Sequence, residues 1–484
     1  MKLPLPSPKQ AASDWTPPSV VPERPRALVG LVDCSAFYCS CERVFDPRLE
    51  GVPVAVLSNN DGCVIARTAE VKALGVKMGA PYFQVERQLA DAGVVVRSSN
   101  YELYADVSRR VVACLETFTP DVEVYSIDEA FLTVPTPDGS PGAVRERVER
   151  LASEVRRRVL RWTGVPVRVS FAETKTLAKA ASEWARSELG AGREPVVCFW
   201  GHPERAAFLE ALPVEDVWGV ARKWGQRLRD LGGPTAAAFA ALPDRLVRRH
   251  LNVAALRTAY ELRGVPCVST DGPLGGRRTL VRSRSFGRPV TDPQELREAV
   301  ATHAARAAEK LRREGLACRA VGAFVTTRHF GDGPHRSGSR AVSLGQATNR
   351  TSDLVRAALL CLARCHEAAD RRGRPYRYRK AGVTVWDLAP ESPEQGHLFQ
   401  APEDRERSAQ QAKLYEAVDG LNRRFGKRTV FVGSMGVPQG PLPSPASKGA
   451  GSATESGQAW AMKRERMSPR YTTRWDELAV VWAR

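Results

Sequence analysis

No apolar run in the 484 residues approaches the roughly 18 that a membrane-crossing helix needs. The N-terminus carries no apolar h-region of the kind that marks a secretory signal. Both absences speak against a membrane partner and for a cytoplasmic protein. The ten cysteines include no CxxC pair and keep no regular spacing. Cys361, Cys365 and His366 form half of a zinc site for which no second half follows. The thiols therefore read as reduced and packed like small hydrophobes. There is no internal repeat. Acid is also in short supply, with 54 Asp and Glu against 72 Lys and Arg, a net charge of +18 and a pI near 9.7. A balance this basic points to a polyanionic partner, and with membranes disfavoured the partner is nucleic acid. On charge alone, a merely soluble basic protein would also fit.

What is present is material for cores. Hydrophobic residues make up 43%, and the length suits roughly two to four domains. Residues 1–26, rich in Pro and polar groups, read as a disordered arm. Structure begins at Ala27 to Val32, a short apolar run suited to a buried strand. Val52 to Leu57 and Cys63 to Ala66 read as strands joined through Asn59-Asn60-Asp61-Gly62, a hairpin signal because Asn and Asp-Gly tolerate positive φ. Tyr104, Val107, Val111, Val112 and Leu115 recur at helical spacing. Val122 to Ile127 and Ala130 to Val134 read as strands. Ser140-Pro141 opens a helix that Gly164 ends, and Val165 to Phe171 is another strand. The order β-α-β-β-α-β, with an insertion after the first strand, is the ferredoxin-like pattern. Residues of about 200 to 265 are helical and Arg-rich. Strands at Thr279 to Ser285, Ala320 to Thr327 and Ala381 to Trp386 then mix with helices at Gln294 to Arg313 and Ser352 to Ala369. After Leu388 the composition turns loop-like, and Gly436 to Gly457 reads as a Pro/Gly/Ser linker.

This topology gives three acids a reason to meet. Asp33 ends the first strand, and Asp128 and Glu129 sit where the second turns into the third. First and second strands run parallel because a helix returns the chain between them, so their C-terminal ends share one sheet edge. Three carboxylates at one edge need positive charge between them. Oxygen-only ligands favour Mg²⁺, which completes its shell with water and substrate phosphates. Two such ions activate a hydroxyl and stabilise a leaving pyrophosphate in line. Ser126-x-x-Glu129 could instead be a capping box, but Pro135 and Pro137 leave a helix barely one turn.

The run Val32-Asp33-Cys34-Ser35-Ala36-Phe37-Tyr38 resembles the Y family of DNA polymerases, as do Ser58 to Arg67, Ser98 to Asp106 and Tyr125-Ser126-Ile127-Asp128-Glu129-Ala130-Phe131. Within that family the motifs are similar to the UmuC type, catalytic subunits of DNA polymerase V. The similarity runs from about Ala27 to Leu388 and resumes at Met462 to Arg464 and Ser468 to Arg474.

The resemblance implies an α+β, multidomain right-hand polymerase. Its parts would be a ferredoxin-like palm over 27–200 with small fingers at about 45–100, a helical helix-hairpin-helix thumb over 201–266 and an α/β little finger over 275–390. A flexible tail would cover 391–484. It implies template-directed, error-prone translesion synthesis in SOS-type repair. The metal ligands would be Asp33, Asp128, Glu129 and the carbonyl of Cys34, holding two Mg²⁺. Phe37 and Tyr38 would line the nucleotide, with Tyr38 as a steric gate against a ribose 2′-OH. Lys179 would face the triphosphate, and so would Lys72, where some relatives keep an Arg.

For DNA, the resemblance implies a thumb turn at Gly219 with Arg222 and Lys223 on phosphate. It adds Arg282 and Arg284, which alternate along one strand and so share a face. Gln395, Leu398 and Phe399 look like the peptide that docks on the bacterial sliding clamp. The basic C-terminal stretch looks like the part whose partners would be the processed UmuD dimer and RecA, giving a nucleoid-associated enzyme. A non-catalytic adaptor of polymerase shape and a DNA polymerase IV-type enzyme are the alternatives. The retained carboxylates stand against the first, and the Asn59-to-Arg67 run with the C-terminal match against the second.

Overall fold

In a computed structural model of the chain, the described residues are 24–268, 278–327, 333–391, 402–426, 428–437, 462–472 and 477–478. The arm (but for 24–26), most of the linker and the clamp-like peptide lie outside them. The first part of the chain runs β1 (Ala27–Cys34), α1 (Phe37–Phe45), β2 (Val54–Leu57), β3 (Val64–Arg67), α2 (Ala69–Ala73), α3 (Tyr82–Asp91) and β4 (Val95–Ser98). It continues through α4 (Tyr101–Leu115), β5 (Val122–Val124), β6 (Glu129–Pro135), α5 (Pro141–Thr163), β7 (Val167–Ala172), α6 (Lys175–Gly190) and β8 (Val196–Cys198).

The main sheet has the order β5-β6-β1-β7-β8. β1 is antiparallel to both β6 and β7, and β5 is antiparallel to β6 and therefore parallel to β1. This is the ferredoxin-like arrangement read from the sequence, with β8 added alongside β7 in parallel. β1 is covered on both faces, which explains its nearly unbroken apolar run. Leu28 and Val32 pack with α4 and α5 through Val107, Val111, Val148 and Val155. Leu31 points the other way, to Leu177 and Ala181 of α6. Ser140 caps α5 by accepting from the Ala143 N–H, and Gly164 ends it at φ 73°.

The insertion after β1 makes a three-stranded sheet, β3-β2-β4, with its own small core of Leu57, Val64, Val71 and Leu89. Its turn places the positive φ on Asn60 (60°) and Asp61 (50°) rather than on Gly62. The Asn/Asp signal held, but the glycine is not the residue that turns the chain.

Five short helices follow: α7 (Arg205–Ala211), α8 (Arg222–Asp230), α9 (Ala236–Ala241), α10 (Asp244–His250) and α11 (Val253–Leu262). They are tied to the first unit by Glu261, which is fully buried and accepts from the backbone N–H groups of Thr176, Cys267 and Val268 at 3.0, 2.6 and 3.0 Å. Three donors satisfied by one carboxylate fix the start of α6 relative to the helices.

The third part runs β9 (Thr279–Val290), α12 (Pro293–Arg313), β10 (Leu316–Thr327), β11 (Ser337–Thr348), α13 (Thr351–Cys365) and β12 (Tyr378–Pro390). It forms an antiparallel sheet of order β11-β10-β12-β9, with the helices packed on one face. Strand β11 carries no apolar pattern that the sequence could announce. It is an edge strand of mostly small and polar residues, held by its ladder to β10, with Val342 and Leu344 its few apolar contacts to the core. Its absence from the sequence reading has that cause.

The loop-like reading after Leu388 also needs correction. Residues Pro402–Phe425 form a helix, α14. Asp419 of α14 makes a two-point pair with Arg312 at 2.8 Å, Tyr415 Oη accepts from the Ser352 N–H at 3.0 Å, and Met435 beyond it is buried against α12. The helix has little amphipathic pattern and is held by polar side chains, so hydrophobic periodicity does not reveal it.

Gly30, in the middle of β1, leaves room for the Phe171 ring. A Cβ there would lie 2.6 Å from the ring and 2.9 Å from Leu132. Gly30→Ala is expected to cost roughly 1–3 kcal/mol through overpacking, read as a lower urea midpoint at an unchanged slope.

Candidate active site

The register of β1 brings the acids together. Asp33 is directly paired with Glu129, and the Cys34 N–H donates to the Asp128 carbonyl at 2.9 Å. β5 stops at Val124, short of the expected Ile127, and residues 125–128 turn. Ser126 organises that turn, with its Oγ accepting from the N–H groups of Asp128 and Glu129 at 3.2 and 3.0 Å and donating to Asp128 Oδ1 at 2.5 Å. The serine caps a strand turn, and no helix starts there.

Each carboxylate faces a partner of its own. Arg168 of β7 stands opposite Asp33 in register and donates to its Oδ2. Lys179 of α6 donates to Glu129 Oε1 at 2.6 Å. Burial pushes the Asp33 carboxyl above its usual range; Arg168 pulls it back, and the neighbouring Glu129 pushes it up. Lys179 also lies 4.4 Å from the centroid of the Tyr125 ring and 5.9 Å from that of Trp218, a cation against aromatic faces. Trp218 Nε1 donates to Tyr125 Oη at 3.0 Å, so the turn before Gly219 reaches the same site.

Ahead of α1 the chain bends sharply, with Ala36 at φ 46°, a conformation L-residues adopt at a cost. Tyr38 then stands half-buried and stacked on Tyr104, with centroids 4.4 Å apart at 17°. Phe37 is only 3% exposed, and its side chain belongs to the core. Lys72 sits at the end of α2, where partial burial and the positive charges of Arg67, Arg186 and Arg168 hold its pKa down. Of these, Arg168 and Arg186 also act on Asp33, and neither was singled out in the sequence.

Comparison with known proteins decides what this edge belongs to. Residues 32–183 match the impB/mucB/samB family, residues 277–398 its C-terminal domain, and residues 412–481 a domain of unknown function. The chain is 42% identical to protein UmuC of Salmonella typhimurium over 94% of this chain and all of that one. It is 38% identical to protein SamB of the same organism over 93% and 99%. DNA polymerase IV of Alkalilimnicola ehrlichii is 31% identical over 75% and 96%. A Y-family DNA polymerase chimera of known structure superposes with a TM-score of 0.57 at 18% identity, covering 75% of this chain and 99% of that one. The chain belongs to the UmuC type of Y-family translesion DNA polymerases.

As a UmuC-type polymerase it is a DNA-directed, error-prone enzyme of SOS mutagenesis, of a fold that works with divalent metal. The donor chemistry at the β1–β6 edge fits such an ion, being hard oxygens from Asp33, Asp128, Glu129 and the Cys34 carbonyl. Among the described residues, no three acidic, His or Cys side chains yet converge as a ligand set, because each acid is turned to its own hydrogen-bond partner. No helix of the described residues is long and apolar enough to cross a membrane.

The residues expected on DNA divide. Gly219 turns at φ 87°, and Arg222 and Lys223 open α8 as exposed residues. Arg282 and Arg284 do share a face of β9, but it is the face of Leu280 and Phe286, the side covered by α12. Both are half-buried, and Arg284 Nη1 lies 3.5 Å from Met462 Sδ. Period-two alternation shows which residues share a face without showing which face the helices cover. Arg168 was missed altogether. Its signal is one charge inside the otherwise apolar run Val165 to Phe171, which in a buried strand demands a partner.

Arg168 and Asp33 side chains are 9% and 14% exposed. Arg168→Met would leave Asp33 buried without its cation, at an expected cost of about 3 kcal/mol. Urea unfolding of the two proteins in excess chelator checks this, and equal midpoints would show that the pair contributes nothing.

Proposed function

We propose that the β1–β6 edge is the polymerase centre, with Asp33, Asp128, Glu129 and the Cys34 carbonyl holding two Mg²⁺ ions. The single observation that carries this is the register pair Asp33–Glu129 with Asp128 adjoining. Metal bound there would supply a lowered pKa for the primer 3′-OH and charge neutralisation for the departing pyrophosphate. The chain's own residues do the rest. Arg168 and Lys179 hold the Asp33 and Glu129 side chains in place, and Ser126 fixes the turn that presents Asp128. Lys72 and Lys179 orient the triphosphate and offset charge on the leaving group. Tyr38 presents its ring to C2′ of the sugar, so a 2′-OH is excluded by contact.

On this reading residues 27–200 are palm and fingers, 201–266 the thumb and 275–390 the little finger. The exposed N-terminus of α8, with Arg222 and Lys223, grips template phosphates. The guanidinium heads of Arg282 and Arg284 meet the backbone only at the sheet's edge. Gln395, Leu398 and Phe399 dock on the sliding clamp, and the processed UmuD dimer and RecA are partners of the enzyme at the nucleoid.

Primer extension past an abasic site, with and without UmuD-type and RecA partners, tests the centre. The parent should extend, and Asp128→Ala should lose roughly 10³-fold or more, the effect of several kcal/mol of lost charge stabilisation. Equal extension by both would overturn the assignment.

A further inference from the structure

Residues 462–472, within the stretch matched as a domain of unknown function, lie against the first part of the chain. The Ser98 N–H donates to the Arg466 carbonyl at 3.0 Å, and the Arg466 N–H donates back to Ser98 Oγ at 2.9 Å. The N–H groups of Lys463 and Glu465 donate to Asn60 Oδ1 and Asp61 Oδ2 at 2.9 and 3.1 Å. The Arg466 guanidinium lies over the Tyr82 ring, and Tyr471 stacks on Phe45 with centroids 5.3 Å apart. The segment is thus built in by backbone, ionic and aromatic contacts together.

Its innermost residue is Ser468, 3% exposed. Asn100 Nδ2 donates to Ser468 Oγ at 3.0 Å, and Ser468 Oγ donates to Glu42 Oε1 at 3.0 Å. The same Oε1 accepts from Tyr104 Oη at 2.7 Å. Tyr104 is fully buried, and its ring is the one on which Tyr38 stacks. Tyr101 meets both rings edge-on, 6.0 Å from Tyr38 and 6.3 Å from Tyr104. A chain of contacts therefore runs from Ser468 through Glu42 and Tyr104 to Tyr38.

Among the described residues Glu42, 1% exposed, has these two hydroxyls as its direct side-chain donors. A buried carboxylate is costly unless well bonded, and one of its two bonds comes from a segment 426 residues away. An apolar residue under Tyr104 would serve packing at less cost. What the carboxylate adds is direction, because a hydrogen bond at one end of the Tyr104 ring fixes the plane against which Tyr38 leans.

We infer that Ser468, acting through Glu42 and Tyr104, positions the Tyr38 ring and so helps the enzyme exclude ribonucleotides. This rests on the reading of Tyr38 as the gate. Ser468, Glu42 and Tyr104 are positioning residues that touch no substrate; their effect is on how tightly the gate ring is held, and hence on sugar choice more than on rate. The C-terminal segment is then a working part of the polymerase centre.

The test is the ratio of ribonucleotide to deoxyribonucleotide kcat/KM on one primer–template, measured with the full-length chain. Tyr38→Ala is the reference for an open gate. Ser468→Ala and Tyr104→Phe, which keeps the stacked ring and deletes only its hydroxyl, should each raise the ratio about three- to ten-fold, the size of one hydrogen bond. Glu42→Ala should do at least as much, while Glu42→Gln, which keeps an acceptor at Oε1, should recover part of the discrimination. If Tyr38→Ala raises the ratio and the other variants match the parent, this inference is wrong and the gate stands. If Tyr38→Ala leaves the ratio unchanged, the gate reading fails and this inference with it.

Discussion

The proposed polymerase edge depends on holding three carboxylates, Asp33, Asp128 and Glu129, side by side in a partly buried sheet. Burial and the neighbouring Glu129 both favour the protonated form of Asp33. Two cations answer this, one from β7 on one side of β1 and one from α6 packed against the sheet. The five-stranded order is what allows it. β1 lies between β6 and β7, so Asp33 has an acid across one ladder and an arginine across the other. A one-residue slip in either pairing would send these side chains to opposite faces and separate acid from cation. Register is therefore the primary determinant of the chemistry here.

The same requirement explains why α6 is held so firmly at its start. Lys179 is useful only if it sits over Glu129, and its helix is fixed by the Thr174 side-chain cap and by Glu261 accepting from the Thr176 N–H. Glu261 belongs to α11, so the helical unit that carries the Gly219 turn is joined to the catalytic sheet through the helix that carries Lys179. Trp218 adds a second joint by bonding Tyr125, next to Ser126. A change in how the helical unit seats is thus felt at both ends of the carboxylate cluster.

Much of this was legible in the sequence where a local signal and the topology agreed. The βαββαβ order, the capped helix from Ser140 to Gly164 and the meeting of Asp33 with Asp128 and Glu129 all follow from periodicity, caps and strand direction. The failures share a different cause. Arg168 was hidden because an apolar strand hides which of its residues faces an acid. Arg282 and Arg284 were placed on a common face, but the covering helix is not encoded by alternation. β11 and α14 are held by edge pairing and polar contacts, so neither shows a hydrophobic period.

The C-terminal residues carry this contrast furthest. Nothing in the composition of the described residues between 412 and 472 announces a packed region, since apart from Phe431 and Met435 they are fastened by single polar or aromatic side chains and by backbone groups. Asp419 and Tyr415 fasten one part to the helices of the last sheet, and Ser468 and Tyr471 fasten another to the first part. Asn60 ties both ends of the molecule at one point, donating to the Ser285 carbonyl on β9 and accepting from the Lys463 N–H. A region so fastened constrains the sheet of β9 relative to the small sheet of β2 to β4, while its deepest residue reaches the Tyr38 stack. Such a segment affects the enzyme through where it holds other elements, which is why a reading residue by residue assigns it only positive charge.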